Sequence, residues 1–280
     1  MLSEFIITFR ETLEVALIVG IILSYLTKTK ETKYNPVVYV GLVAGIVASI
    51  IGAILFNTLA GGFEGAAEQI FEGITMLLGA IMLTTMILWM MKQGKIAEKL
   101  EAEVAVHLST AQRFDLFLLV FLAVLREGIE TVIFLNAAAI ATGGNTLIGS
   151  VLGIAAAVVL GYLIFVAAVR VPLKKYFTAT SVLLLLFAAG LVAHGVHEFE
   201  EAGVIPIIVE HLWDVNPALN PDGSYPALHE KGIIGEFLKG LFGYNGNPSL
   251  VEVVSYILYL VVLGVVWKRI IGKKKVVAAP

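Results

Sequence analysis

RETLE, residues 10–14, sits inside LSEFIITFRETLEVALIVGIILSYL (residues 2–26), and REGIE, residues 126–130, sits inside FDLFLLVFLAVLREGIETVIFLNAAAIA (residues 114–141). Each stretch is long enough to cross a bilayer, which takes ~20 mostly apolar residues. Well inside its ends each is interrupted by one arginine and two glutamates, with Glu4 and Asp115 only at the first turns. A charged group in the bilayer interior costs on the order of 2.5–3.5 kcal/mol on insertion scales. On a helix the two glutamates of each motif are three residues apart and the arginine stands four before the second, so all three share one face.

Five further stretches match this length, at 36–59, 66–91, 146–169, 176–196 and 249–271, giving seven candidate spans. Composition agrees: of 280 residues 59% are apolar and 15% charged, against roughly 45–50% and about 25% in a soluble domain. Mean hydropathy is +0.92. The net charge of −3 gives no electrostatic support for a nucleic-acid partner. The chain has no cysteine, which removes disulfides, thiolate nucleophiles and cysteine-held metals. The first stretch lacks a basic leader and its apolar run is too long for a signal peptide, so it reads as a retained helix. The expected architecture is an all-α polytopic membrane protein in the cell membrane, plasma or inner.

The basic residues orient it. Fifteen of 19 fall on one side, among them Lys28, Lys92, Arg113, Lys174 and Lys273, while Lys231 and Lys239 lie on the other and Arg10 and Arg126 within spans. The positive-inside rule puts the N-terminus outside and the C-terminus in the cytoplasm. Acidic residues are biased the other way, 13 outside against 5 inside, and an acidic outer face attracts cations. Residues 92–113 form a cytoplasmic connector with apolar Ile96, Leu100, Val104 and Leu108 at helical spacing, as in an amphipathic surface helix. Tyr25, Trp89 and Trp267 read as interfacial anchors, and His107, His211 and His229 as ordinary loop residues.

The chain also repeats itself. The two motifs occupy the first and fourth spans, Gly41-x-x-x-Gly45 opens the second and Gly149-x-x-x-Gly153 the fifth. Three spans per copy make the copies inverted, a transporter arrangement with its site near the midplane. The glycine pairs themselves read as helix packing. The layout is repeat one at 1–91, connector at 92–113, repeat two at 114–198, extracytoplasmic loop at 199–248 and an appended seventh helix at 249–271. At ~1.5 Å per residue Arg10 and Arg126 reach nearly the same depth in a ~30 Å core. Facing each other, the motifs would present four carboxylates and two guanidinium groups, a sum of −2 that invites a cation. Salt bridges Arg10–Glu14 and Arg126–Glu130 that merely hold helices together are the plainer alternative, but they leave Glu11 and Glu127 as surplus buried acids. At the outer end, Glu64, Glu68 and Glu72 recur every four residues, and His194, His197, Glu198 and Glu201 fall at three- and four-residue spacing. Carboxylate with imidazole suits iron, manganese or zinc, so Glu68, Glu72, His197, Glu198 and Glu201 are a candidate outer capture site. A solvated helix end is the alternative.

With the motifs placed, the sequence resembles the high-affinity iron permease family, fungal and bacterial EfeU-type. Beyond RETLE and REGIE, the resemblance runs through EQIFEG at 68–73, GLVAHGVHEFEEAG at 190–203, LFGYNGNPS at 241–249 and EVVSYILYL at 252–260. It implies an inward iron transporter, not an enzyme, with Glu11, Glu14, Glu127 and Glu130 as iron ligands. It implies iron as substrate with no resident cofactor, and an extracytoplasmic ferroxidase, cupredoxin-like or haem-peroxidase-like partner for any oxidation step. The hard oxygen set favours Fe3+ over soft metals and leaves Fe2+ open. Alternatives are a permease for another cation such as Mn2+ or Pb2+, and a membrane di-iron oxidase. Against the oxidase, no Glu-x-x-His occurs in the chain.

The charge split places Lys28 and Lys273 inside and Ser3 and Asp222 outside. In intact cells an impermeant thiol reagent is expected to label Asp222→Cys and leave Lys273→Cys unmodified until the cells are opened. Labelling at 273 in intact cells would overturn the topology.

Overall fold

In lipid a backbone satisfies its polar groups only by closing hydrogen bonds within helices or a closed barrel. The computed structural model, which describes residues 2–92, 102, 104, 113–143, 146–167 and 173–277, is helical throughout its long elements. Among the described residues these are α1 (Leu2–Lys28), α2 (Asn35–Ala60), α3 (Ala66–Lys92), α4 (Arg113–Thr142), α5 (Leu147–Phe165), α6 (Leu173–Glu201), α7 (Ile233–Phe242) and α8 (Leu250–Val277). A 3-10 turn, Thr32–Tyr34, leads into α2, whose first turn takes Pro36. The connector expected at 92–113, with His107, lies almost wholly outside the described residues.

By length and composition α2, α3, α5, α6 and α8 can cross a membrane. Helices α1 and α4 are as long, 27 and 30 residues, but carry the charged motifs. Three boundaries differ most from the sequence expectation, one being the end of α8, which runs to Val277 and not 271. Helix α5 stops at Phe165, where the Val166 N–H closes the last turn on the Tyr162 carbonyl. Helix α6 runs past 196 and 198 to Glu201, because the polar run His197–Glu201 continues the helix until Gly203 adopts φ 72°.

Helices α1 and α4 lie at the centre. The dominant pairings are α1 with α5, α2 with α4, α3 with α6 and α1 with α4, and α8 packs on α6. Exchanging the first three helices for the next three leaves the first four of these pairings unchanged, whereas α8 packs on α6 alone and α3 packs on α4 more extensively than α6 does on α1. The crossings explain why small residues are needed. A Cβ on Gly45 of α2 would stand 2.7 Å from Val124 Cβ and 3.1 Å from the Phe121 carbonyl oxygen of α4. A Cβ on Gly153 of α5 would stand 2.6 Å from the Phe5 carbonyl oxygen of α1 and collide with Thr8 Oγ1. Measured from the two arginines, Phe5 and Phe121 are corresponding positions, as are Thr8 and Val124. The Thr8 hydroxyl also donates to the Ser150 carbonyl at 3.1 Å, fastening α1 to α5.

The main apolar cluster joins α1, α3, α4 and α6 through residues such as Ile7, Met76, Leu83, Phe134 and Leu191. A second, with Val19, Ile22, Val38, Leu116 and Val120, joins α1, α2 and α4. The outer faces of α2 and α8 are exposed and apolar, including Val43, Ile50, Ile54, Ile257 and Val261. Lipid is the environment such faces require. At the other end α7 docks on α6 where Gly243, at φ 68°, brings its backbone against Gly190. No side chain fits that contact.

Gly45→Ala and Gly153→Ala are each expected to cost about 1–3 kcal/mol through overpacking, read as a lower unfolding midpoint in detergent. Gly52→Ala, whose Cβ meets nothing within 4 Å, is the control and should leave the midpoint in place.

Candidate metal centre

The first and fourth helices cross so that their motifs meet. One carboxylate oxygen from each of Glu11, Glu14 and Glu127 lies within 4.8 Å of the others. Glu11 and Glu127 are buried. Among the described residues neither oxygen of Glu11 accepts a hydrogen bond, and Oε2 of Glu127 and of Glu130 are equally without a donor. The arginines hold the second glutamates: Arg10 Nε donates to Glu14 Oε1 at 3.1 Å and Arg126 Nε to Glu130 Oε1 at 2.8 Å. Arg126 Nε stays 3.7 Å from Glu127 Oε1, too far for a hydrogen bond. The first glutamate of each motif is therefore the one its arginine does not satisfy.

The two copies differ in surroundings. Arg10 is fully buried and its second terminal nitrogen donates to Met86 Sδ at 3.2 Å. The Arg126 side chain is 52% exposed and lies over the Trp89 ring, 5.7 Å from its centroid. The two motifs are thus enclosed unequally: helix α3 covers Arg10 through Met86 and leaves Arg126 half-exposed beside Trp89. Trp89, expected to be an interfacial anchor, is a partner of that arginine. Glu130 stands beside the compact trio and not in it. Glu11 and Glu127 also line a groove of about 740 Å³ whose walls are apolar residues of α2 and α5, such as Ile46 and Val158.

The outer acids are distributed differently from the sequence expectation. Glu64 and Glu68 are exposed. Glu72 lies close enough to Glu198 and Glu201 for their charges to interact. His197 Nε2 is 3.2 Å from Glu201 Oε1, and Gln69 donates to Glu201 Oε2 at 3.0 Å. Behind them is a cavity of about 420 Å³, with Glu198, Glu200, Glu201 and both His194 and His197 in its wall. His211, expected to be an ordinary loop residue, lines it too, its Nδ1 3.1 Å from the Asn247 carbonyl oxygen. The loop over the cavity is held by pairing of its two arms, Leu212 N–H to the Pro248 carbonyl and Val215 N–H to the Gly246 carbonyl, each 2.9 Å.

Four residues here were missed. Glu252 is buried 3.6 Å from His194 Nδ1 and accepts from Asn245 Nδ2 and the Ser249 N–H. Ser249 Oγ in turn donates to buried Glu200 at 2.5 Å. Ser249-x-x-Glu252 is a capping box, legible as the start of α8; its docking on α6 is not. Lys239 of α7 enters the same cavity, and burial pushes its ammonium below the usual lysine value.

The profile of the iron permease FTR1 family matches residues 1–273. The chain belongs to that family. It is 36% identical over 265 residues to the ferrous iron permease EfeU of Yersinia pestis, covering 93% of this chain and 91% of the relative. It is 35% identical over 267 residues to EfeU of Escherichia coli O6:H1, covering 93% of each. An uncharacterized protein of Archaeoglobus fulgidus is 36% identical over 263 residues, 93% of this chain and 92% of that one. No solved structure matches. As an iron permease family member the chain is a multi-pass membrane transporter and not an enzyme.

Within this permease the two arginines should respond unequally to the same change. Arg10→Lys loses a charge-assisted hydrogen bond in a closed site, about 1.5–3 kcal/mol. Arg126→Lys, half-exposed and free to relax, should cost below about 1 kcal/mol. Thermal unfolding of the two variants in detergent checks this, and equal losses would contradict it.

Proposed function

We propose that this chain carries iron inward across the cell membrane through a site formed by Glu11, Glu14, Glu127 and Glu130, with Arg10 and Arg126 orienting the second acid of each motif. The observation that carries this reading is the meeting of three carboxylates, one with both oxygens lacking a donor, where the two motif helices cross. A buried acid in that condition needs a proton or a cation, and the chain's family is one of iron permeases. Seven spans, with α1 and α4 crossing beside the five apolar helices, complete the reading. So do an outside N-terminus, an inside C-terminus and inverted repeats at 1–91 and 114–198. The basic-residue split and the pairing pattern that survives exchange of the two halves support it.

We take Fe2+ as the transported form because the relatives from Yersinia and Escherichia are named ferrous iron permeases. An oxygen-only site accepts either valence. The membrane potential supplies about 2.3 kcal/mol per charge per 100 mV, hence about 4.6 kcal/mol for a dication, so inward movement needs no further energy source at moderate gradients. Glu68, Glu72, His197, Glu198 and Glu201 act at the outer end as the capture site, concentrating cations before they enter.

The test is uptake by proteoliposomes under an imposed inside-negative potential, offered Fe2+, Fe3+ and Mn2+ separately. Fe2+ uptake is expected to lead. Glu11→Gln with Glu127→Gln should abolish it and weaken metal binding by more than the ~10–100-fold typical of losing a partner behind a ligand. Near-normal binding in that double variant would return the motifs to a structural role, and faster Mn2+ uptake would reassign the substrate.

A further inference from the structure

The outer cavity and the motif site are both acidic, but their donors are spaced differently. Glu198, Glu200, Glu201, Glu210 and Glu230 line the cavity against the single ammonium of Lys239. Yet among the described residues no three His, Asp or Glu side chains of the cavity bring ligand atoms within 4.8 Å of one another, whereas Glu11, Glu14 and Glu127 do. Direct octahedral ligation at ~2.1 Å needs ligand atoms no more than about 4.2 Å apart across the ion. The motif trio approaches that spacing and the cavity does not.

Wider spacing suits a larger guest. An ion that keeps its water has oxygens at ~2.1 Å, and a hydrogen bond of ~2.8 Å beyond them puts protein acceptors about 5 Å from the metal. Six waters at ~30 Å³ each occupy about 180 Å³, which a cavity of about 420 Å³ accommodates. Two acceptors in its wall are idle. Glu200 and His194 are buried, 3% and 7% exposed as residues, yet Glu200 Oε1 and His194 Nε2 have no hydrogen-bond partner among the described residues. The Glu252 carboxylate, 3.6 Å from His194 Nδ1, favours the imidazole proton on that side and so leaves Nε2 as an acceptor. The cavity also includes apolar Met76, Ile140 and Ala141 in its lining, a surface that offers nothing to replace lost water.

We propose that the outer cavity holds the incoming dication with its water shell intact, through hydrogen bonds from metal-bound water to Glu200, Glu198 and His194, and that the shell is removed only on passage to the Glu11–Glu14–Glu127 site. This deepens the transport reading above and rests on it. Lys239 sets the affinity by cancelling part of the cavity's charge, so that the hydrated ion is captured without being trapped.

Cobalt(III) hexammine tests this, because its six ammine ligands donate hydrogen bonds as coordinated water does and do not exchange. Calorimetry on the purified protein in nanodiscs is expected to find it binding. Glu200→Gln, and separately the more exposed Glu198→Gln in case the Ser249 link makes position 200 intolerant, should each weaken it about tenfold, the loss of one charge-assisted hydrogen bond. Lys239→Gln should tighten it, and Glu11→Gln should leave it unchanged. In proteoliposomes it should raise the apparent KM for Fe2+ without lowering the maximal rate. Absence of binding, or binding lost in Glu11→Gln and kept in both cavity variants, overturns the proposal. Hexammine binding is read without iron, so its failure leaves iron uptake standing, and a failure of iron uptake leaves the binding result standing.

Discussion

Carboxylates far from water have to be compensated, and the arrangement of this molecule follows from how its four motif acids meet that demand. Two of them, Glu14 and Glu130, are each held by an arginine one helical turn away. Glu11 and Glu127 are not, and a buried acid in that position needs a proton or a cation in place of the missing donor. Enclosure requires α1 and α4 to be central, which leaves the outer positions to helices apolar on nearly all sides. Close approach then becomes a matter of side-chain size, and Gly45 and Gly153 remove the atoms that would keep α2 and α5 away.

The motif helices were legible in the sequence because charge inside an apolar run is a rare signal, and the glycine pairs because their four-residue spacing puts both on one face. The partner of each glycine was not legible: periodicity says which residues share a face, never which faces meet. The same limit explains the outer cluster. Glu68 and Glu72 share a helix face, as their spacing says, but Glu68 is exposed while Glu72 lies against Glu198 and Glu201 of α6. Glu200 and Glu252, which spacing did not single out, are the buried ones, joined through Ser249 across 49 residues of sequence. The ends of α6 were misjudged because a polar helix terminus looks like a loop until Gly203 supplies the actual stop.

Family membership sharpens the contrast between the two ends of the molecule. The match spans residues 1–273, so it takes in the motif helices, the loop over the outer cavity and the helix that follows it. Helix α8, the last in the chain's described part, builds part of that cavity. Its first turn supplies Glu252 to the histidines of α6 and Ser249 to Glu200, so the wall of this cavity is shared between α6 and α8.

The stacking of Arg126 on Trp89 has a use of another kind. Indole emission responds to charge held against the ring, and of the three tryptophans Trp213 stands in the loop beside α8 and Trp267 near the far end of that helix. Trp89 alone touches a motif arginine among the described contacts. Replacing the other two with phenylalanine leaves a single tryptophan, excited selectively over the nine tyrosines at the red edge of its absorption, to report on the charges of the second motif with no attached dye.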